Sequence, residues 1–145
     1  NVGVINGGTV SNVVPEDAFA EVDVRVMQPG EWERIEAEMQ NLKPVLQGTS
    51  IKINGALNRP PMPYNEENKN AFEKAYQIAK DKLGMELMAG GAGGGSDGNF
   101  VAPLGIPVLD GMGTYGEGFH SEREYIFTKS LEERKKLLTA LIQNW

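Results

Sequence analysis

Residues 105–125 have the sequence GIPVLDGMGTYGEGFHSEREY, and the predicted fold is organised around them. The short apolar run Ile106–Leu109 ends on Asp110, and a glycine-rich loop then leads to His120, the one histidine of the chain. A second glycine-rich loop, Gly90–Gly98, comes earlier in the sequence. Glycine lets the backbone turn tightly and approach a ligand closely, and loops held on a rigid scaffold often carry function. We therefore expect the two loops to form one site at the ends of buried strands.

The pattern before residue 60 predicts an α+β unit in which a helix covers one face of a sheet. Apolar and polar residues alternate over Ala18–Val26, as in a half-buried antiparallel strand whose polar face carries Asp23 and Arg25. Apolar residues at helical spacing predict a helix that begins at Glu31 and ends before Pro44. Two further strands are predicted at Asn1–Ile5 and Ile51–Leu57.

The second half of the chain alternates predicted helices and short strands, which favours a three-layer α/β arrangement. Asn65 is predicted to cap a helix that runs to Leu83 and stops at Gly84. A last helix is predicted to begin at a capping box formed by Ser130 and Glu133. Short strands are predicted at Met85–Met88, Ile106–Leu109 and Tyr125–Phe127.

The segment Pro60–Pro63 predicts a domain boundary, because three prolines in four residues end strand pairing and stiffen the chain. The predicted domains are therefore residues 1–60 and residues 61–145.

Composition excludes several classes of function. The chain has 145 residues, a net charge of −6 and no basic stripe, so no nucleic-acid partner is expected. No apolar run approaches the roughly 18 residues that cross a membrane. Without cysteine there is no disulfide, thiol nucleophile or thiolate metal site. The compartment stays open; the cytoplasm is favoured, with secretion or a periplasmic location as alternatives.

Ser96, Asp110 and His120 follow one another in the order of an α/β-hydrolase triad, and Gly94–Gly98 spells G-x-S-x-G. A nucleophile elbow places its serine directly at a strand end and before a long helix. Here several residues of the glycine loop intervene, and the helix that follows is short. The simpler interpretation is that Ser96 or Asp97 caps this short helix, and a serine hydrolase remains as an alternative.

His120 is the candidate metal ligand. Imidazole is the commonest protein ligand for metals, and carboxylates such as Glu122 and Glu124 are natural companions that would share its face of a strand. A catalytic zinc site usually takes three protein ligands. One histidine cannot complete a histidine-rich centre.

Six motifs follow one another along nearly the whole chain: GGTVSNVVP (7–15), DVR (23–25), NRP (58–60), GGSD (94–97), LGIP (104–107) and GEGFHSEREY (116–125). In this order they resemble the co-catalytic zinc amidohydrolases and peptidases that include glutamate carboxypeptidase, acetylornithine deacetylase and succinyl-diaminopimelate desuccinylase. The Arg59–Pro60 pair favours the glutamate carboxypeptidase branch.

The resemblance implies a catalytic domain that binds two zinc ions and an inserted, ferredoxin-like lid domain that often dimerises. Residues 1–60 would be the later part of the lid sheet with its helix, and residues 61–145 the C-terminal part of the catalytic domain. His120 matches the last zinc ligand. Asn12 and Arg25 match lid residues that hold the scissile carbonyl and the substrate carboxylate, and Arg59 matches a further carboxylate contact. The pocket lining corresponds to Gly94, Gly95 and Ser96.

The family's other zinc ligands and its general base have no match in this sequence. We therefore expect a fragment of a zinc-dependent carboxypeptidase or deacylase that is inactive on its own. It would act with its missing N-terminal half, as a homodimer through the lid, on a small peptide or an N-acyl amino acid. A non-catalytic association module is the other alternative.

Overall fold

Four α-helices, one short 3-10 helix and two antiparallel strand pairs make up the computed structural model, which describes residues 1–145. The chain is therefore mixed α/β, as predicted. In order, the elements are β1 (Val2–Gly7), β2 (Ala18–Val22), α1 (Glu31–Gln40), α2 (Glu66–Leu83), α3 (Gly98–Val101), the 3-10 helix (Ala102–Leu104), β3 (Gly116–Glu117), β4 (Tyr125–Ile126) and α4 (Thr128–Asn144).

Helix α2 has the ends that its sequence predicts. The side chain of Asn65 accepts a hydrogen bond from the backbone N–H of Asn68 at 2.9 Å, which satisfies one of the free donors of the first turn. Glu66 and Glu67 place negative charge at the positive end of the helix dipole. Gly84 ends the helix with φ of 62°, a left-handed conformation that glycine adopts without steric penalty.

The hydrophobic core lies between α2 and α4. Its four buried residues are Ala75, Ala79, Leu137 and Leu141, and Leu137 is completely enclosed. The two alanines let the helices approach closely, because a methyl group leaves room for the leucines of the facing helix. Partly buried apolar side chains pack around this centre. They come from α2, from the segment that follows it and from the loop before β3: Ile78, Leu83, Met85, Leu87, Leu109 and Met112.

Strands β1 and β2 form an isolated two-stranded sheet. The backbone of Asp23 and the first residue extend the pairing, since Asp23 N–H donates to the Asn1 carbonyl at 2.8 Å and the Asn1 ammonium donates to the Asp23 carbonyl at 2.9 Å. Every residue of both strands is exposed. The prediction of a half-buried strand over residues 18–26 is therefore wrong in two respects: β2 ends at Val22, and no element covers either face of the sheet.

Three predicted strands do not form. Residues 51–57, 85–88 and 106–109 are not paired with any strand, and the backbone of 51–57 makes no backbone hydrogen bond. An apolar or alternating sequence becomes a strand only when a neighbouring strand accepts its hydrogen bonds. No such neighbour lies beside these segments. Tyr125–Ile126, by contrast, pairs with Gly116–Glu117 close to the predicted position.

The predicted capping box of the last helix is also wrong. Helix α4 begins at Thr128, with Phe127 as its cap residue, so Ser130 lies within the first turn. The Ser130 hydroxyl donates to the Phe127 carbonyl at 2.6 Å and accepts from the Tyr115 N–H at 3.1 Å. This buried hydroxyl therefore joins the preceding loop to the helix. Such side-chain bonds to nearby carbonyls compete with capping.

The chain exposes far more surface than a compact monomer of its mass. Proteins of 15.8 kDa expose roughly 7,300 Å², whereas this structure exposes 11,620 Å² and buries nine of its 145 residues. The excess of exposed surface is about 4,300 Å². Large apolar side chains such as Phe19, Phe100 and Phe119 contribute to the exposed surface. None of the helices has the length and apolar character needed to cross a membrane.

Asn68 is the polar link between α2 and the segments that lead to the glycine loop. Its buried side chain donates to the Pro63 carbonyl at 2.8 Å and accepts from the Val108 N–H at 2.7 Å. Substitution Asn68→Leu should leave both backbone groups without a partner and lower the free energy of unfolding by about 3 kcal/mol.

Urea denaturation followed by circular dichroism measures this effect. Asn70→Leu is the matched control, because Asn70 is an exposed residue of the same helix and its side chain makes no hydrogen bond. We expect the control to change stability by less than about 0.5 kcal/mol. Equal effects of the two substitutions would contradict the role assigned to Asn68.

Candidate functional site at the glycine loop

The glycine loop Gly90–Gly98 lies against side chains from the first sixty residues. A Cβ atom built on Gly91 would lie 3.6 Å from Met27 Cε, and one built on Gly93 would lie 3.8 Å from Arg25 Nη1. At Gly95 the same atom would lie 2.9 Å from Arg59 Cδ. Gly94, between the last two of these, has open space around that position. A side chain at Gly91 or Gly93 would make only ordinary van der Waals contact, whereas one at Gly95 would crowd Arg59, so Gly95 is the glycine that makes room for an incoming side chain.

Arg25 is held at two points. Its Nε donates to the Asp23 carboxylate at 3.0 Å, and its Nη1 donates to the Gly93 carbonyl at 2.9 Å. The second bond joins residues that are 68 positions apart in the sequence. Both charged side chains are more than half exposed, at 66% for Arg25 and 57% for Asp23. The guanidinium is therefore oriented but remains open to a ligand.

Arg59 also lies against this loop. Its Nη2 lies 3.8 Å from the fully exposed Asp97 carboxylate, and its guanidinium carbon lies 5.2 Å from the centre of the Phe100 ring. Asn99 fixes the backbone beside it, because its side chain donates to the Pro60 carbonyl and accepts from the Ser96 N–H, at 2.8 and 2.7 Å. The composition of the loop gave no indication of these roles for Asn99 and Phe100.

Ser96 has a structural role in this arrangement. Its hydroxyl accepts a hydrogen bond from the Gly98 N–H at 3.1 Å, at the start of α3. The simpler interpretation, a serine that closes the first turn of a short helix, agrees with this geometry, whereas the Asp97 side chain makes no capping bond. No hydrogen bond connects Ser96, Asp110 and His120. The structure therefore does not assemble the serine triad.

His120 lies on an exposed turn between β3 and β4 and makes no side-chain hydrogen bond. It is the one non-glycine residue with a positive φ, 62°, a conformation that L-residues adopt with steric strain. The turn around it is closed by Ser121, whose hydroxyl donates to the Gly118 carbonyl at 2.7 Å. The carboxylate of Glu117 accepts from the Tyr125 hydroxyl at 2.8 Å, and this hydrogen bond, with desolvation adding to it, raises the pKa of Tyr125.

The acidic companions predicted for His120 do not join it. The strand begins at Tyr125, so Glu122 and Glu124 lie in the turn rather than on a shared strand face. No three histidine or acidic side chains converge anywhere in the chain. The residues of this chain therefore do not fit a complete zinc centre. They offer one imidazole.

Asn12 lies in the exposed turn between β1 and β2. Its side-chain amide makes no hydrogen bond. Of the residues that the sequence singled out, the structure thus brings Arg25 and Arg59 to the loop that contains Gly94, Gly95 and Ser96. It leaves Asn12 and His120 without contacts that would hold them there.

Arg25 and Arg59 thus place two guanidinium groups beside one glycine loop, and guanidinium groups are the donors whose geometry best matches a carboxylate. The chain is a member of Peptidase family M20/M25/M40, whose sequence profile matches residues 3–144.

Two curated relatives align with nearly all of this chain, but the alignments cover only part of each relative. Carboxypeptidase G2 of Pseudomonas sp. (strain RS-16) is 29% identical over 152 aligned positions, which cover 99% of this chain and 35% of that protein. An uncharacterized protein, YqjE, of Bacillus subtilis (strain 168) is 26% identical, over 99% of this chain and 38% of its own length. The chain thus spans little more than a third of these relatives. No solved structure matches it.

Substitution Gly95→Ala should displace Arg59, because the new methyl group would lie 2.9 Å from Arg59 Cδ. We expect the Nε–H resonance of Arg59 to shift in a nitrogen–proton NMR spectrum as its contacts with Asp97 and Phe100 are lost. Gly94→Ala adds the same methyl group in open space and should leave that resonance in place. If both variants shift the resonance equally, Gly95 has no special role in seating Arg59.

Proposed function

We propose that this chain is part of a zinc-dependent carboxypeptidase or deacylase, which hydrolyses an amide or peptide bond next to a free carboxylate. The substrate would be a small peptide or an N-acyl amino acid. The observation that carries this proposal is the convergence of Arg25 and Arg59 on one glycine loop. Membership of the peptidase family and the similarity to Carboxypeptidase G2 support it.

The two arginines are suited to a carboxylate. A guanidinium has five N–H donors in a planar fork that matches the two oxygens of a carboxylate. Arg25 uses two of these donors for Asp23 and Gly93. Arg59 faces Asp97 at 3.8 Å, beyond a short charge-assisted hydrogen bond. Both side chains therefore keep donors for a ligand, in a protein whose overall charge of −6 otherwise repels anions.

The glycine loop would lie along the ligand. Gly94 has no side chain and no neighbour within 4 Å of its Cβ position, so a ligand can approach its backbone closely. We assign Gly94, Gly95 and Ser96 to this lining. Asn12 is proposed to hold the carbonyl oxygen of the scissile bond, since its amide has an unused donor. This role requires the turn that carries Asn12 to approach the loop.

His120 is proposed as the one zinc ligand that this chain contributes. Its imidazole projects from an exposed turn and is not engaged in any hydrogen bond. The remaining ligands of two zinc ions, and the general base, would come from the rest of a longer protein. The two curated relatives are both longer than this chain. We expect the 145 residues alone to be inactive and to bind zinc weakly at most.

The large exposed surface supports packing against other protein. The two-stranded sheet of β1 and β2 has two open edges, which can accept another strand. We propose that residues 1–60 form the later part of a dimerising lid and residues 61–145 the end of the catalytic domain. The homodimer would form through this lid sheet.

Substitution Arg25→Ala should weaken binding of N-acetylglycine to the chain by about tenfold, the equivalent of one charge-assisted hydrogen bond. Arg59→Ala should have a similar effect. Chemical-shift titration measures the affinity, and the neutral analogue N-acetylglycinamide tests whether the carboxylate is the group recognised.

Arg34→Ala is the matched control for these variants. It removes the same charge, but Arg34 lies on α1, where hydrogen bonds to Glu31 and Glu38 raise its pKa and where it makes no hydrogen bond or ion pair with the glycine loop. We expect its variant to bind N-acetylglycine as the unchanged chain does. Equal binding by all three arginine variants would remove the support for a carboxylate site.

In the longer enzyme, His120→Ala should lower both the zinc content and the hydrolysis of an N-acyl amino acid. Metal analysis and a rate assay on the same preparation measure the two effects. A chelator should abolish activity, and a reagent for active-site serines should not. Full activity with unchanged zinc in the variant would refute the assignment, and inhibition by the serine reagent alone would favour the triad of Ser96, Asp110 and His120.

A further inference from the structure

Asp23 connects the sheet of the first sixty residues to the guanidinium of Arg25. Its backbone is fixed by two hydrogen bonds to Asn1, at 2.8 and 2.9 Å, which form the last rung beyond β2. Its carboxylate then accepts from Arg25 Nε at 3.0 Å. A hydrogen-bonded path therefore runs from the end of the sheet, through Asp23, to the arginine beside the glycine loop.

The two bonds of Arg25 occupy different parts of its guanidinium. Asp23 takes Nε, and the Gly93 carbonyl takes one N–H of Nη1. The N–H groups that remain belong to Nη1 and Nη2. A carboxylate that binds while both bonds persist must therefore approach the end of the guanidinium rather than its Nε side.

We propose that Asp23 is a positioning residue, which holds Arg25 so that the Nη1 and Nη2 end of its guanidinium receives the carboxylate of the ligand. This inference rests on the proposed function, because it deepens the role of Arg25 in the same site. It assigns to Asp23 no contact with the ligand.

Stability alone does not account for the pair. Asp23 and Arg25 are 57% and 66% exposed, and exposed ion pairs contribute little to the free energy of unfolding. The backbone bonds between Asp23 and Asn1 do not involve the carboxylate. Removing that carboxylate should therefore leave the melting temperature unchanged and act on the orientation of Arg25.

Positioning and simple electrostatics predict opposite signs for this change. Asp23 carries a negative charge next to the arginine that would bind an anion, so removal of the charge should strengthen anion binding if Coulomb attraction alone matters. If Asp23 orients Arg25, its removal frees the guanidinium to rotate, and binding should weaken because the side chain must be ordered again.

The test measures the affinity of the full 145-residue chain for N-acetylglycine by chemical-shift titration, with the melting temperature recorded for each variant. Asp23→Ala should weaken binding by about threefold, the cost of ordering one side chain again. Asp23→Asn keeps an oxygen that can accept from Nε and should weaken it less. Glu21→Ala is the matched control, since Glu21 is an exposed acid two residues earlier on β2 with no ion pair to Arg25. It should leave the affinity unchanged or slightly tighter.

The outcomes separate this inference from the proposed function. Weaker binding in Asp23→Ala, partial recovery in Asp23→Asn and equal melting temperatures support positioning. If Arg25→Ala weakens binding while both Asp23 variants bind as tightly as the unchanged chain, or more tightly, the positioning role is overturned and the carboxylate site stands. If Arg25→Ala also binds unchanged, both are overturned.

Discussion

The close packing of α2 against α4 is the constraint on which the rest of the structure depends. Ala75 and Ala79 bring the helices together, and Leu137 fills the space between them. At the N-terminal end of α2, Asn68 then fixes the Pro63 carbonyl and the Val108 N–H. The core thus determines where the chain enters and leaves the region of the glycine loop.

From there, the loop is seated by small contacts rather than by a sheet. A Cβ atom on Gly98 would lie 2.8 Å from Val108 and 3.3 Å from Met62. The start of α3 therefore fits between the two segments whose backbone Asn68 hydrogen-bonds. Asn99 ties this turn to Pro60 and so places Arg59. The site is therefore a continuation of the helix pair, whereas the segment after β2 reaches it through the side chains of Arg25 and Met27.

Features that depend on neighbouring residues were predictable from the sequence, and features that depend on distant partners were not. The ends of α2 follow from Asn65 and Gly84, which act within one helical turn. The strands predicted near Ile53 and Leu109 require hydrogen bonds from another strand, and no periodicity of one segment specifies its partner. Ser130 looked like a cap but bonds Tyr115, 15 residues earlier in the chain. In the same way, the family resemblance indicated Arg25 and Arg59, whereas only the three-dimensional arrangement shows that Asp23 bonds Arg25 and that Asn99 fixes the backbone beside Arg59.

The contacts that seat the glycine loop have a thermodynamic consequence. Met27, Arg25 and Arg59 lie against the loop at Gly91, Gly93 and Gly95, and these contacts limit the conformations open to its backbone. If these side chains withdraw, each loop residue regains freedom worth about 1–2 kcal/mol at room temperature. A ligand that touches both the arginines and the loop would then have to offset this entropy as it binds. Its affinity would depend on the fraction of molecules in which residues 1–60 already contact the loop. A substitution far from the ligand could therefore change the affinity by changing only the conformational entropy of the loop.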